Sequence, residues 1–354
     1  MVNQQRFAFS PGPSCALALL VFAACRPDTE GGASLIDGPR VLAIRSEPAE
    51  VEPGKPVVYS ALYAAPTNEP TEPLEWALCT ARKPLAVAGP IALECLQPTG
   101  AGLKQLGAGP SASTTIPADG CRVFGPSPPA PKMGEPAARP ADPDSTGGYF
   151  QPMRVRAPGS ESEYAIGFTR IACGAGSATQ DQTLDFAKNY RPNENPVLDS
   201  VVAEPEGAAT PLAELPEEAP RLAAGERVTL RAAWADCPLL AACGDGICGA
   251  AEDKVSCAAD CATARGCTGS EPYVYLDPIA RELVPRREAM RVSWFASAGT
   301  FEHDRSGRPE ADAGSPFSDN TWTAPSEAGD VRLWVVLRDD RGGVGYGSFY
   351  VHVE

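Results

Sequence analysis

Histidine is almost missing from this chain: His303 and His352 are the only two in 354 residues. That inventory excludes most histidine-based catalytic and zinc constellations, which gather several imidazoles or pair one with a nucleophile. The motifs G-x-S-x-G, H-E-x-x-H and the phosphate-binding P-loop are also absent. Positive charge is scarce, with 30 Lys and Arg against 45 Asp and Glu, a formal net charge of −15. This balance argues against binding nucleic acid or an anionic membrane through a basic patch, and it fits solubility. Long helices are disfavoured, because 37 prolines and 34 glycines punctuate the chain. Strands, turns and linkers remain.

The two histidines that are present read as surface residues. Glu302-His303-Asp304 follows the end of a strand and has the look of a solvated turn, while His352 lies on the last strand beside Glu354.

The N-terminus sets an expected compartment. Arg6 precedes the apolar run Cys15–Ala24, which is shorter than the ~20 residues of a membrane span and has the length of a signal-peptide core. Residues 1–24 are therefore expected to be a signal peptide. Phe22-Ala23-Ala24-Cys25, directly after that core, resembles a bacterial lipobox, with Phe22 where Leu is usual. The resemblance implies a lipid on Cys25, a lipidated tether over 25–38 and, because Arg26 rather than Asp follows, sorting to the outer membrane. The alternative is an ordinary signal peptide cut after Ala24. Removal of 1–24 deletes Cys15, and lipidation occupies Cys25. Ten cysteines then remain: Cys79, Cys95, Cys121, Cys173, Cys237, Cys243, Cys248, Cys257, Cys261 and Cys267. An even number in an exported chain is the mark of a disulfide framework.

An internal repeat organises the rest. VLAIRSEP, Val41 to Pro48, lines up with LDSVVAEP, Leu198 to Pro205. PGKPVVYSALYA, Pro53 to Ala64, lines up with AGERVTLRAAWA, Ala224 to Ala235. Each copy is a strand closed by Glu-Pro, a glycine turn and a second strand. Leu74-Glu75-Trp76 then matches Val292-Ser293-Trp294, a third strand with an inward Trp. That order is found in immunoglobulin-like sandwiches. The fold class expected is all-β, with one such sandwich over 39–190, a linker at 191–196 and a second sandwich over 197–354.

From Val57 to Trp76 the first copy has 19 residues, whereas Val228 to Trp294 spans 66 (76 − 57 and 294 − 228). The excess contains Cys237–Cys267, so a cysteine-rich module is expected as an insertion between the second and third strands of the second sandwich. Lengthening an exposed loop costs only about 0.6 kcal/mol per doubling. In the first copy, Gly148–Val155 and Tyr164–Ala172 read as late strands, 126–147 as a Pro-rich excursion and Thr183–Tyr190 as a short helical turn. Cys79, Cys95, Cys121 and Cys173 are expected as two disulfides. In the second, 206–223 lengthens a loop and Val331–Arg338 alternates as a strand. Residues 289–353, with TWTAP and a long strand ending in RD-x-RGG, resemble the PKD/immunoglobulin-like domains of bacterial surface proteins.

The module itself reads CGDGICGAAEDKVSCAADC. It resembles a myxobacterial-type cysteine-rich repeat of exported proteins, filled by Cys243, Gly244, Asp245, Gly246, Cys248, Glu252, Cys257, Asp260 and Cys261. Disulfides are the expected cross-links, with pairings left open among 15. Zinc is the alternative that x4 and x3 cysteine spacings allow, and an oxidising compartment counts against it. Calcium on Asp245, Glu252 and Asp260 suits oxygen donors on a tight loop, though the spacing matches no EF-hand and solvated acids are commoner. Asp339-Asp340 reads as turn chemistry, with exposed acids that could also take calcium. No cofactor is assigned beyond this.

The function expected is non-enzymatic: a cell-envelope lipoprotein held to the membrane by its lipid, acting as a structural or binding module. An adhesin or receptor that recognises a glycan or protein through the module is the second reading, which an exposed aromatic cluster near Tyr273 and Tyr275 would favour. An accessory domain of a hydrolytic system is the third, for which the chain lacks a nucleophile–base set.

Overall fold

Short β-branched segments separated by Gly and Pro turns become strands throughout the computed structural model. It describes residues 32–66, 73–83, 88–89, 91–125, 133, 148–157, 164–176, 178–204, 209–237, 243–244, 252, 255–261, 266–277, 279–312 and 314–354. The Pro-rich excursion lies outside these except for Met133, as do Cys25, Asp245 and Cys248.

The first sandwich contains β1 (Arg40–Glu47), β2 (Glu50–Val51), β3 (Pro56–Ala64), β4 (Leu74–Cys79), β5 (Leu103–Gly109), β6 (Ser111–Thr115), β7 (Gly148–Arg156) and β8 (Tyr164–Ala172). The second contains β9 (Leu198–Glu204), β10 (Thr210–Pro211), β11 (Arg221–Leu222), β12 (Arg227–Trp234), β13 (Pro272–Leu276), β14 (Leu283–Arg287), β15 (Met290–Ala296), β16 (Thr300–Phe301), β17 (Arg305–Arg308), β18 (Phe317–Thr323), β19 (Gly329–Asp339) and β20 (Val344–Val353). Three short helices are α1 (Gly120–Phe124), α2 (Gln180–Asn189) and α3 (Ala258–Cys261).

Two sheet orders occur twice. The sheet β1-β3-β6 returns as β9-β12-β18, flanked there by β10 and β16, and β2-β8-β7-β4-β5 returns as β11-β20-β19-β15-β17. Even the unusual step is repeated: β2 pairs parallel with β8, and β11 pairs parallel with β20. The chain crosses between sheets just before a glycine turn, and Gly54 and Gly225 both hold positive φ there, at 78° and 72°. Trp76 and Trp294 are fully buried at equivalent places, and each indole N–H donates to its neighbouring strand, to the Gly109 carbonyl at 2.8 Å and the Ser306 hydroxyl at 2.9 Å. The molecule is all-β, with two immunoglobulin-like sandwiches.

Each sandwich has its own core. Val57, Tyr59, Trp76, Met153 and Val155 fill the first, and Trp294, Trp322, Leu333, Val335 and Leu337 lie at the centre of the second. The strand β19 is apolar on both faces. Val331, Leu333, Val335 and Leu337 point into their own sandwich, while Trp334 and Val336 face Ile36, Ala43, Leu62 and Ala64. A third apolar cluster therefore fastens one sandwich to the other. The segment read as a tether takes part: Ile36 donates to the Ala296 carbonyl at 2.8 Å, and Ala296 donates to Ser34 at 2.9 Å. Its final residues are docked because Leu35 and Ile36 are apolar in an otherwise polar stretch.

The expected helical turn is longer. Thr179 and Gln182 form a reciprocal capping box that starts α2 ahead of Thr183. Within 206–223, read as loop, β10 and β11 add short edge pairings. The insertion between β12 and β15 holds the cysteine module and, beyond it, a β13–β14 hairpin that the sequence reading did not anticipate.

Candidate functional site

The Cys237–Cys267 disulfide closes the base of the insertion just beyond the end of β12. Inside that loop Cys243 is bonded to Cys257, and Cys261 is also disulfide-bonded. In the first sandwich Cys79 is bonded to Cys95 and Cys121 to Cys173. Cys243, Glu252, Cys257 and Asp260 bring one ligand-type atom each to within 4.8 Å of one another. The Cys243–Cys257 bond removes both sulfurs from any thiolate set, which excludes zinc on them. Glu252 and Asp260 are buried, not solvated as the commoner case would have them. Asp260 accepts from the Gly244 N–H at 2.5 Å, so its carboxylate closes the module's own turn. These two acids bring only part of the six to eight oxygens that calcium takes, and among the described residues no third acid joins them.

The module stands on a buried polar hub. Arg341 lies between β19 and β20 and is fully buried, as are Glu271 and Glu288 at the two ends of the β13–β14 hairpin. Its Nε donates to Glu288 at 2.6 Å, its Nη1 to the Arg191 carbonyl at 2.8 Å and its Nη2 to Glu271. The guanidinium also sits over the Tyr273 ring, 4.9 Å from its centroid. Glu271 accepts from the backbone of Glu194 and of Cys267, both at 3.1 Å, and so ties the linker to the disulfide at the module's base. Arg191 reaches the module from the other side, donating to the Glu252 carbonyl and lying 3.6 Å from the Cys261 sulfur.

The first sandwich enters the same hub. Glu50 of β2 accepts from Arg170 at 3.1 Å, from the Asn193 backbone at 2.9 Å and from the Tyr190 hydroxyl. Asn195 donates to the Ser46 carbonyl at 2.7 Å and accepts from Val344 at 2.9 Å, stitching β1 to β20. Asp339, expected on an exposed turn, is buried. It accepts from Arg341 and Gly343 backbone N–H groups at 2.9 and 2.8 Å and from the Asn193 amide at 3.3 Å. The physical reason is that residues 191–196 pack across the β19–β20 turn and cover it. Asp340 alone stays outside.

Burial dominates the electrostatics. It pushes Glu271 up to about 8 and Glu288 well above the usual carboxylate range, with Arg341 opposing in both cases. Asp339 is also raised by burial, and Tyr190 is raised by burial and by the Glu50 carboxylate beside it. One guanidinium among three such carboxyls cannot hold all of them ionised, so the hub keeps a proton that water would remove.

The other sequence candidates fall apart in space. His303 is exposed, Glu302 turns to Arg227 at 2.6 Å, and Asp304 accepts from Ser34 at 2.6 Å. His352 meets Asp330 at 2.8 Å, while Glu354 pairs with Arg221. Tyr273 is buried under Arg341, and the Tyr275 ring is covered by Arg286 at 4.4 Å, so no exposed aromatic cluster forms there. The hub residues carried one readable signal, the RDDRGG turn at 338–343, whose glycines are required by close approach. A Cβ at Gly343 would fall 2.0 Å from Asp339 Oδ2.

No helix among the described residues is long and apolar enough to cross a membrane. No protein-family model and no curated protein matches the chain. Among solved structures it is similar to a glycosyl hydrolase family 2 member from Bacteroides cellulosilyticus, at 7% identity and a TM-score of 0.20, over 85% of this chain and 23% of that one. It is also similar to dimeric latent PorU from Porphyromonas gingivalis, at 9% identity and a TM-score of 0.20, over 90% of this chain and 24% of that one. The chain spans about a quarter of the length of those proteins, and likenesses this slight carry no functional inference.

Proposed function

We propose that the protein is a non-enzymatic, lipid-anchored module of the cell envelope that holds its cysteine-rich insertion in a fixed orientation for a protein or glycan partner. The observation that carries this reading is the clamp beneath the insertion. Arg191 grips its interior at Glu252, Glu271 grips its base at Cys267, and both belong to the hub that joins the two sandwiches. A loop inserted only for length would not need buried charges from three parts of the chain to set its direction. The disulfides suit an oxidising compartment, and on this reading the anchor is a lipid on Cys25.

Two experiments test it. Fatty-acid labelling should mark the wild type and not Cys25→Ala, and continued labelling of the variant would remove the anchor. The exported protein, immobilised and offered native envelope extract, should capture a partner that is lost when residues 238–266 are replaced by a short Gly-Ser linker. Capture of the same partner by both forms would move binding onto the sandwiches and sink the role given to the insertion.

A further inference from the structure

Away from the cysteine module, where the first sandwich meets the β19–β20 turn, lies a cleft of about 460 Å³. This is within the range of about 300–1,000 Å³ found for small-molecule sites. Its walls are the consecutive residues Val41–Ile44 of β1 and Ala165–Phe168 of β8, with Phe150 and the turn Gly342–Val344 at one end. The strands β1 and β8 belong to opposite sheets of the sandwich and are not paired with each other. They pack against each other, closely enough that a Cβ on Gly167 would lie 2.7 Å from Ile44. That contact leaves no space for a further strand, whose neighbours would each stand about 4.7–4.9 Å away. The lining is apolar apart from backbone and one cation, Arg338.

No carboxylate pairs with Arg338 among the described residues; its Nη2 donates to the Leu42 carbonyl at 2.9 Å, and its Nη1 is 3.5 Å from the Ser293 hydroxyl. Its neighbours are of the same sign. Arg291 stands directly opposite it on β15, and Arg305 stands opposite Ser293 on β17. Three arginines on three adjacent strands thus share one face with no ion-pair partner among the described residues. Burial and repulsion from Arg305 and Arg291 bring the Arg338 guanidinium down to about 10. A partly buried guanidinium without a counter-charge, beside an apolar slot, matches a ligand that carries one anionic oxygen pair on an apolar chain.

We propose that this cleft binds a single-chain anionic amphiphile of the fatty-acid class, its hydrocarbon chain along the apolar wall that β1 and β8 form and its carboxylate on Arg338. The site is separate from the cysteine module and does not depend on the role given to that module. Phe150 and Phe168 meet edge to face, with centroids 6.3 Å apart, and Phe168 is exposed enough to form a lip that the chain would cover.

The test is calorimetric titration of the exported full chain with dodecanoate, dodecanol and dodecyltrimethylammonium. Saturable one-to-one binding is expected for dodecanoate, at least tenfold tighter than for the alcohol and far tighter than for the cation. Arg338→Met should weaken dodecanoate at least tenfold while leaving dodecanol unchanged, and Arg338→Lys should restore part of the difference. Absence of saturable dodecanoate binding would overturn the proposal. So would equal affinity for the three head groups. The head-group series on the unaltered protein decides the matter even where Arg338→Met fails to fold.

Discussion

Arg341 brings one positive charge into a space that holds Glu271, Glu288 and Asp339, and the imbalance has a measurable sign. Glu271 is pushed up to about 8 from an ordinary 4.5. At pH below about 4.5 native and unfolded chains both hold that proton, and the contribution of the raised group is fully present. Between 4.5 and 8 the unfolded chain has lost the proton while the native chain keeps it, so stability falls as pH rises. Glu288 and Asp339, raised by the same burial, act in the same direction. Urea unfolding at pH 5, 6.5 and 8 should therefore give a decreasing free energy. Glu288→Gln should flatten the slope, because Glu271 then has Arg341 with one competitor fewer and loses its proton at lower pH. A wild-type curve that is level or rising over this window would show that the carboxyls are ionised together, contrary to the argument.

Among elements, the disulfides differ in what they hold. Cys121–Cys173 joins α1 to the end of β8 across 52 residues of sequence, whereas Cys243–Cys257 closes 14. Restriction of the unfolded chain by loops of these lengths is worth about 4 and about 3 kcal/mol in the chain-entropy account. Only the first braces a sandwich core, with Cys121 packed beside it. Replacing Cys121 and Cys173 together by Ser should lower the unfolding free energy by about 4 kcal/mol, while the same change at Cys243 and Cys257 should leave the main transition almost unmoved. Equal losses would mean that the module and the sandwiches unfold as one.

The element scale is also where the sequence was most informative. Alternation and the glycine turns reveal β1, β3, β9 and β12, and the matched Trp76 and Trp294 reveal the third strands, because each of these signals is local. Counting residues between them locates the insertion. The β13–β14 hairpin was hidden because Pro272, Pro285, Arg286 and Arg287 interrupt the apolar pattern of PYVYL and LVPRR, and the Tyr273 and Tyr275 rings are covered only by the distant Arg341 and the cross-strand Arg286. The hub was hidden more deeply. Glu50, Glu271, Glu288 and Arg341 resemble any surface charges along the chain, and only the register of four separate elements and the path of residues 191–196 bring them together. The Arg338 cleft has the same origin, since its two walls lie more than a hundred residues apart in sequence.

For the whole molecule, the question is whether two sandwiches behave as two bodies or one. Each has its own core, yet Trp334 and Val336 face the first sandwich from a strand whose other side fills the second. The hub adds ion pairs from Glu50 and Arg170 on one side and from Arg341 on the other. Both seams are buried, so separating the sandwiches would expose apolar surface and open these buried ion pairs to water at once. Unfolding followed by tryptophan fluorescence and by circular dichroism should thus give coincident single transitions. Trp334→Ala should cost about 3–5 kcal/mol through the lost packing, and Arg341→Met a similar amount by stranding Glu271 and Glu288. Either change attacks the seam more than the separate cores, so each should split the curve into two steps, the core of the first sandwich outlasting the contact. Two steps already present in the wild type would mean that the hub does not couple the sandwiches, and that the insertion above it is not held in one direction.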